Sequence, residues 1–216
     1  MKEMNLKKIL SARVVVNITR IYEHDCIELM TALKIGGASI FAITVENATD
    51  YPLVLNALKA AREHFRSEVL IGINNVPSVD VVQELAEAGA QFIMSLNSKN
   101  MMIHAAHDAG LVAISGVMTP NEIIAAHESG ADIVHVYPAQ WLGPAYFNYA
   151  CKLLNHIPIM TSGGIDHNNT RLYMHAGVDV VVADECLYSK AQVEKREWYT
   201  ISDTTRKFMD TIVHRK

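Results

Sequence analysis

A short glycine-centred phrase recurs along the chain, each time between a helix-like stretch and an apolar, β-branched run. Its copies are Gly36-Gly37-Ala38-Ser39-Ile40, Ala88-Gly89-Ala90-Gln91-Phe92, Ser129-Gly130-Ala131-Asp132-Ile133 and Ala176-Gly177-Val178-Asp179-Val180. Glycine readily takes the left-handed conformation that ends many helices, and the next strand can begin within a few residues. The repeat therefore predicts a chain built from successive βα units.

Near-continuous apolar runs mark the predicted strands. They cover residues 13–18, 40–45, 69–73, 92–95, 111–115, 132–136, 157–160 and 178–182. Their starts lie roughly 20 to 30 residues apart, which leaves room for one helix between each pair of parallel strands. These units predict a compact (β/α)8 TIM barrel that uses residues 1–216 as one domain, with extra helices at 1–10 and about 203–214. A doubly wound open sheet is the alternative, because periodicity does not show closure.

The composition excludes several classes of protein. The net charge of −4 and the lack of any lysine/arginine block argue against a nucleic-acid partner. No apolar run approaches a membrane span, and the first residues lack the apolar core of a signal peptide. The cysteines at 26, 151 and 186 are far apart and form no Cys-x-x-Cys motif. We therefore expect a protein of the reducing cytoplasm, without disulfides or a zinc knuckle.

Polar residues that follow the predicted strands are the candidate site residues, because a parallel barrel carries its active site at the carboxyl ends of its strands. They are Thr44, Glu46, Asn47, Asn74, Asn75, Ser95, Asn97, Lys99, Ser115, His135, Tyr137, Thr161, Ser162, Gly163, Gly164, Asp184 and Glu185. His135 alternates in phase with Ile133 and Tyr137, so we expect its side chain to point into the barrel near the upper rim. It is either a catalytic residue or a hydrogen-bonded structural histidine.

Specific hypotheses attach to a few of these positions. Glu46 is either a general base or a solvated loop carboxylate, and Lys99 is either a source of an amine or a solvated loop lysine. The segment Thr161-Ser162-Gly163-Gly164-Ile165 places paired glycines between a late strand and a helix. Such a turn lets backbone N–H groups approach an anion, so it predicts an anion site; an ordinary tight turn is the alternative.

Several phrases together resemble the 2-keto-3-deoxy-6-phosphogluconate / 4-hydroxy-2-oxoglutarate (KDPG/KHG) aldolase family. They are Ala88-Gly89-Ala90-Gln91-Phe92-Ile93-Met94-Ser95, Gly116-Val117-Met118-Thr119-Pro120-Asn121-Glu122, Val136-Tyr137-Pro138-Ala139 and Thr161-Ser162-Gly163-Gly164-Ile165 with Asn168. The likeness spans nearly the whole chain in the right order. It implies a compact (β/α)8 barrel, a homotrimer, and a lyase that cleaves a 2-keto-3-deoxy sugar acid through a lysine Schiff base.

The resemblance also assigns roles to positions where this chain differs from the family. The Schiff-base lysine falls at His135, the catalytic glutamate at Ala42, and the carboxylate-binding arginine at Glu46. A threonine after the third strand falls at Asn75, and the phosphate-binding Gly-Gly-Ser run falls at Ala183-Asp184-Glu185. Imidazole cannot form the protonated imine, alanine transfers no proton, and carboxylates repel an anionic substrate. Ordinary aldolase activity is therefore not expected.

Three functions remain open from the sequence. The first is a divergent, lyase-like enzyme that acts on a small oxo acid or sugar derivative. The second is a repurposed acid/base or metal-dependent enzyme, in which His135, Glu46, Asn75 and Asp184 or Glu185 gather around a divalent cation. The third is a non-catalytic barrel that binds a small molecule. Apart from the divalent metal of the second hypothesis, we expect no cofactor, and the expected partners are a small-molecule ligand and further copies of the chain.

Overall fold

Eight parallel strands close into a barrel in chain order. The computed structural model describes residues 1–20 and 23–212, and only the backbone of residues 23 and 24. The strands are β1 (Val14–Ile18), β2 (Ile40–Thr44), β3 (Leu70–Asn74), β4 (Phe92–Ser95), β5 (Val112–Val117), β6 (Ile133–Val136), β7 (Ile159–Thr161) and β8 (Val180–Ala183). Val14 of β1 pairs with Val181 of β8, which closes the sheet. The predicted (β/α)8 barrel is confirmed, and the open-sheet alternative is wrong.

Helices cover the outside of the barrel and follow each strand. They are α1 (Lys2–Ala12), α2 (Glu23–Ile35), α3 (Tyr51–Phe65), α4 (Val82–Glu87), α5 (Asn100–Asp108), α6 (Pro120–Glu128), α7 (Ala139–Leu153), α8 (Thr170–His175), α9 (Lys190–Glu194) and α10 (Trp198–Met209). The predicted N-terminal helix is confirmed as α1. The predicted C-terminal helix is confirmed as α10 but begins earlier, and its predicted residues 213–214 lie outside the described residues.

The early start of α10 has a packing explanation. Its first turns contain aromatic and β-branched residues, which are weak helix formers in isolation. However, Ile201, Thr205 and Phe208 recur at helical spacing and are buried, and α10 packs mainly against α2. Tertiary packing of this face therefore outweighs the local preference.

Alternation along the strands divides the apolar residues into two layers. Residues that point outward pack against the helices and form the larger core. Residues that point inward fill the barrel; among them are Val15, Ala42, Ile133 and Met160. Ile9 of α1 belongs to the same inner cluster. Helix α1 therefore closes the amino-terminal end of the barrel, and the opposite end is where polar groups gather.

Candidate functional site

The inward-facing positions at or just after the ends of the eight strands form a ring at the carboxyl end of the barrel. Inward positions lower down belong to the buried inner cluster, and side chains two residues further on a strand lie on the same face. The ring, here called the upper ring, consists of Asn17, Thr44, Asn74, Leu96, Gly116, His135, Ser162 and Asp184. Most of these side chains are polar, so the barrel interior changes from apolar to polar at this level.

His135 is buried in the upper ring, with 4% of its surface exposed. Its Nε2 atom lies 2.8 Å from Oγ of Ser162, and the tautomer decides which of the two donates the hydrogen bond. Burial lowers the pKa of His135 to about 4, because the protonated ring would lose its hydration. The predicted inward orientation is confirmed, and the imidazole is neutral at neutral pH.

A cavity of about 240 Å³ opens beside His135, between the ends of β4, β5 and β6. This mouth cavity is lined by Leu96, Asn97, Ser98, Gly116, Val117, Met118, Glu122, His135 and Tyr137. Gly116 allows the close approach of the chain after β4, since an added Cβ would lie 2.6 Å from the carbonyl oxygen of Ser95. Among the described residues, the lining contains one carboxylate and neither lysine nor arginine.

Glu122 lines the cavity but was not among the candidate site residues predicted from the sequence. Its Oε2 accepts hydrogen bonds from the backbone N–H groups of Met118 at 2.9 Å and Thr119 at 2.8 Å. The Oγ1 of Thr119 donates to the same oxygen. These bonds hold the pKa of Glu122 below its usual range, so the carboxylate is ionised beside the cavity. The sequence Thr119-Pro120-Asn121-Glu122 is typical of a helix start, so it does not indicate that Glu122 also lines a cavity.

A network of uncharged groups occupies the opposite side of the mouth. Thr44 Oγ1 donates to Oδ1 of Asn17 at 2.9 Å, and Asn74 Nδ2 donates to the same oxygen at 3.3 Å. Asn17 was not predicted as a site residue. The signal that could have found it is a single polar residue in the otherwise apolar strand Val14–Ile18, at the inward register.

Asn75 and Glu46 connect loops at the rim. Asn75 has a φ of 59°, and its Nδ2 donates to the carbonyl oxygen of Val45 at 2.7 Å. Asparagine tolerates this left-handed conformation, so its amide fastens the β2 and β3 loops together. Glu46 Oε2 accepts a hydrogen bond from Nε of Arg20 at 2.6 Å. The structure therefore places Glu46 in an ion pair between the β1 and β2 loops, away from the residues that line the mouth cavity.

Ser95, Ser115 and Lys99 also lie apart from the mouth cavity. Ser95 is buried and its Oγ donates to the carbonyl oxygen of Asn97 at 2.5 Å. Ser115 is buried at an outward register position, one residue before Gly116 of the upper ring. Lys99 is exposed at the start of α5 and does not line the cavity. This placement favours the solvated-lysine interpretation.

The Gly163–Gly164 turn packs against the start of α7. Both residues have left-handed φ angles, 88° and 75°. An added Cβ on Gly164 would lie 2.5 Å from Oε1 of Gln140, and the N–H of Ala139 donates to the carbonyl oxygen of Ser162 at 2.7 Å. Close packing of the backbone therefore accounts for the paired glycines.

A carboxylate of the chain itself lies at the helix end that follows this turn. Asp166 Oδ1 accepts hydrogen bonds from the N–H groups of Asn168 at 2.8 Å and Asn169 at 3.0 Å, just before the short helix α8. Thr161 is fully buried, and its Oγ1 donates to the carbonyl oxygen of Val136 at 2.7 Å. The anion site at the Gly163–Gly164 turn stays a prediction, and a carboxylate of the chain already accepts from the N–H groups just before α8.

Asp184 and Glu185 occupy different environments at the end of β8. Asp184 is half-buried in the upper ring, and burial raises the pKa of its carboxyl group. Glu185 is exposed, and its N–H donates to Oδ1 of Asp184 at 2.8 Å. Asp184 is therefore the residue of the two that faces the mouth.

The residues of the metal hypothesis are not gathered together. Within residues 1–20 and 25–212, no three His, Cys, Asp or Glu side chains come close enough to hold a metal ion. His135 is bonded to Ser162, and Glu46 to Arg20. In the same part of the chain, no helix has the length and apolar character needed to cross a membrane.

The closed parallel sheet, its covering helices and its polar upper ring define a (β/α)8-barrel protein with polar groups at the carboxyl ends of the strands. Residues 6–204 match the family model for KDPG and KHG aldolase. The chain therefore belongs to the KDPG/KHG aldolase family.

Similar proteins agree with this assignment. The 2-dehydro-3-deoxy-phosphogluconate aldolase of Pseudomonas aeruginosa is 25% identical over 207 residues, which cover 95% of this chain and 92% of that one. The enzyme of the same name from Treponema pallidum is 28% identical and covers 75% of each chain. The KDPG aldolase of Legionella pneumophila, solved with pyruvate as a covalent carbinolamine, superposes with a TM-score of 0.83 at 21% identity, covering 93% of this chain and 96% of that chain. This structural likeness shows the fold alone.

Proposed function

We propose that the protein binds a small oxo or sugar-derived compound in the mouth cavity and acts on it without a protein-bound imine. The observation that carries this proposal is the buried, neutral His135 at the position that the resemblance gives to the Schiff-base lysine. A neutral imidazole can accept a proton from a hydroxyl group or donate a hydrogen bond to a carbonyl oxygen. It cannot become an imine electron sink. His135 is thus the proposed acid/base residue, and Ser162 orients its ring.

A non-catalytic binding role is the second candidate. It is favoured by Ala42, which is fully buried at the position that the resemblance gives to the catalytic glutamate. An alanine there supplies no second proton-transfer group. Turnover of any oxo or sugar compound that is abolished in His135→Gln, while binding is retained, would support the enzyme. Binding without turnover across the same compounds would support the second candidate.

Borohydride trapping with pyruvate tests the absence of imine chemistry. We expect no mass increase in the native protein, and a pyruvate adduct in His135→Lys, because a buried lysine has a lowered pKa and an unprotonated, nucleophilic amine. His135→Met is the matched control, since it fills the same space without an amine. An adduct on the native protein would overturn the proposal. Its loss in Lys99→Ala would assign the amine to Lys99.

Three broader expectations remain part of the proposal. The whole chain is proposed to form one domain, and three copies are proposed to form a homotrimer, as the resemblance implies. Large apolar side chains on α7 that are open to solvent support a subunit contact there; they are Trp141, Tyr149 and Leu153. The cytoplasm is the proposed compartment, supported by cysteines that form no disulfide within the described residues.

A further inference from the structure

The charges around the mouth cavity define the kind of ligand that it can take. We infer that this ligand is an uncharged polyhydroxy compound, such as an aldose, a ketose or an alditol, and that carboxylates and phosphates are excluded. The inference rests on the proposed function in one respect: it takes the mouth cavity to be the ligand site.

The cavity lining has a negative charge and no positive one among the described residues. Its carboxylate belongs to Glu122, whose pKa is held low by three hydrogen bonds, and its imidazole belongs to His135, which burial keeps neutral. The remaining polar side chains of the lining belong to Asn97, Ser98 and Tyr137. A carboxylate or phosphate entering this space would lose hydration and meet a like charge, with no cation to compensate.

The upper ring likewise contains a carboxyl group and neither lysine nor arginine. Its polar members are amides, hydroxyl groups and one imidazole, together with the half-buried Asp184. Burial raises the pKa of Asp184, and an approaching anion would raise it further. Amide and hydroxyl groups both donate and accept hydrogen bonds, which matches the two roles of a ligand hydroxyl group.

The cations near the rim are engaged or lie away from the cavity. Arg20 is bonded to Glu46, and the Lys99 side chain is exposed outside the lining. The side chains of residues 21–24 are not described, but the sequence there is Ile-Tyr-Glu-His and contributes neither lysine nor arginine. The ion pair of Glu46 also means that a ligand carboxylate would compete with a carboxylate that Arg20 already binds.

Helix ends at the mouth are supplied with carboxylates or carbonyl groups by the chain itself. Glu122 accepts hydrogen bonds from the N–H groups of Met118 and Thr119, just before α6, and Asp166 accepts from those of Asn168 and Asn169, just before α8. At the start of α7, Ala139 and Gln140 donate their N–H groups to the carbonyl oxygens of Ser162 and Gly163. Carboxylates of the chain therefore lie at the starts of α6 and α8, where helix N-termini usually offer backbone sites for anions.

The cavity also has the size and the surfaces that a small sugar needs. Its volume of about 240 Å³ equals about eight water molecules at roughly 30 Å³ each, enough for a compound of four to six carbons. Tyr137 and Met118 give it an apolar wall that can cover the C–H face of such a compound. Ionised Glu122 can accept a strong hydrogen bond from a ligand hydroxyl group.

Matched sets of compounds test the inference on the full-length protein. Each set contains an aldose, its alditol, its aldonate and its terminal phosphate, with four, five or six carbons. Affinities are measured by calorimetry at pH 7.5 and 150 mM salt. We expect an uncharged member of at least one set to bind, and its aldonate and phosphate to bind at least ten times more weakly. Equal or tighter binding of an anionic member, or no binding of any uncharged member, would overturn the inference.

A charge-removing variant assigns the discrimination to the mouth. Asp184→Asn should reduce several-fold the ratio of the affinity for the uncharged compound to the affinity for its aldonate or phosphate. Glu128→Gln at the far end of α6 makes the same change in net charge and should leave the ratio unchanged. If Asp184→Asn does not fold, raising the salt concentration for the native protein should narrow the ratio, because screening weakens repulsion. A ratio that neither change affects would contradict the argument.

The same measurements, extended to small oxo acids such as pyruvate, separate this inference from the proposed function. Binding of an oxo acid that is lost in Tyr137→Ala would keep the mouth site and refute only the uncharged ligand. Binding of any compound that is unaffected by Tyr137→Ala and His135→Gln would refute the mouth site, and both proposals with it.

Discussion

Burial at the upper ring decides the protonation state of His135. Its ring gains a hydrogen bond with Ser162, which a neutral imidazole can make with either nitrogen protonated. A charged ring would be desolvated, and the described residues offer it no adjacent carboxylate in a salt bridge. The same residue thus has the properties of an acid/base group with a low pKa, available as a proton acceptor throughout the neutral range.

The pKa of His135 predicts a specific loss of stability in acid. The unfolded chain binds a proton at about pH 6.5, and the folded chain only at about 4. Between these values the unfolded state binds more protons, so stability falls as the pH falls from about 6.5 towards 4. We expect the free energy of unfolding to drop between pH 7.5 and 4.5 by about 2 kcal/mol more in the native protein than in His135→Gln. Urea denaturation at both pH values measures this, and equal losses would contradict a buried, neutral imidazole.

The orientation of a single side chain could be predicted from the sequence where the two-residue periodicity of a strand applies. The alternation of Ile133, His135 and Tyr137 was enough to place the imidazole inside the barrel. The ion pair between Arg20 and Glu46 was not foreseen, because it depends on how two loops approach each other across the sheet. Glu122 was hidden for a different reason: one side chain both caps α6 and lines the cavity.

At the scale of elements, the turn after β7 is shaped by its contact with α7. Gly164 and Gly110 have nearly the same left-handed φ, 75° and 73°. An added Cβ would collide with Gln140 at position 164 but would meet nothing within 4 Å at position 110. Substitutions at these two glycines can therefore separate the cost of backbone strain from the cost of a packing clash.

Alanine at these two positions should lower the free energy of unfolding by different amounts. We expect Gly110→Ala to lower the free energy of unfolding by about 1 to 2 kcal/mol through backbone strain alone. Gly164→Ala should cost about 1 to 3 kcal/mol more, because the start of α7 must move. Urea denaturation measures both costs, and Gln140→Ala in the Gly164→Ala background should recover part of the difference. Equal costs would show that Gln140 does not cover the turn.

The sequence predicted the number and order of the strands because the repeated glycine joints are local signals. Strand ends moved by one or two residues; β7, for example, begins at Ile159 rather than at residue 157. Closure of the sheet and the early start of α10 were beyond local patterns, since both depend on contacts between distant parts of the chain. The family resemblance supplied the closure that periodicity lacked.

At the scale of the whole molecule, α7 carries the exposed apolar surface that an oligomer would cover. Trp141, Tyr149 and Leu153 are 77%, 71% and 63% exposed. We expect sedimentation at three times the 24.0 kDa of one chain, and a smaller species when Tyr149→Glu and Leu153→Glu are combined. Tyr199→Glu, which changes an equally exposed residue on α10, should leave the mass unchanged. A native protein that sediments as one chain would refute the homotrimer and leave the mouth site untouched.

Helix α1 seals the amino-terminal end of the barrel, with Ile9 in the inner cluster and Nζ of Lys2 held 2.7 Å from Oδ1 of Asp132. A ligand can therefore reach the upper ring only from the carboxyl end of the barrel, and it must leave through the same opening. A long polymer could present only its tip to His135, whereas a compact metabolite could be enclosed whole.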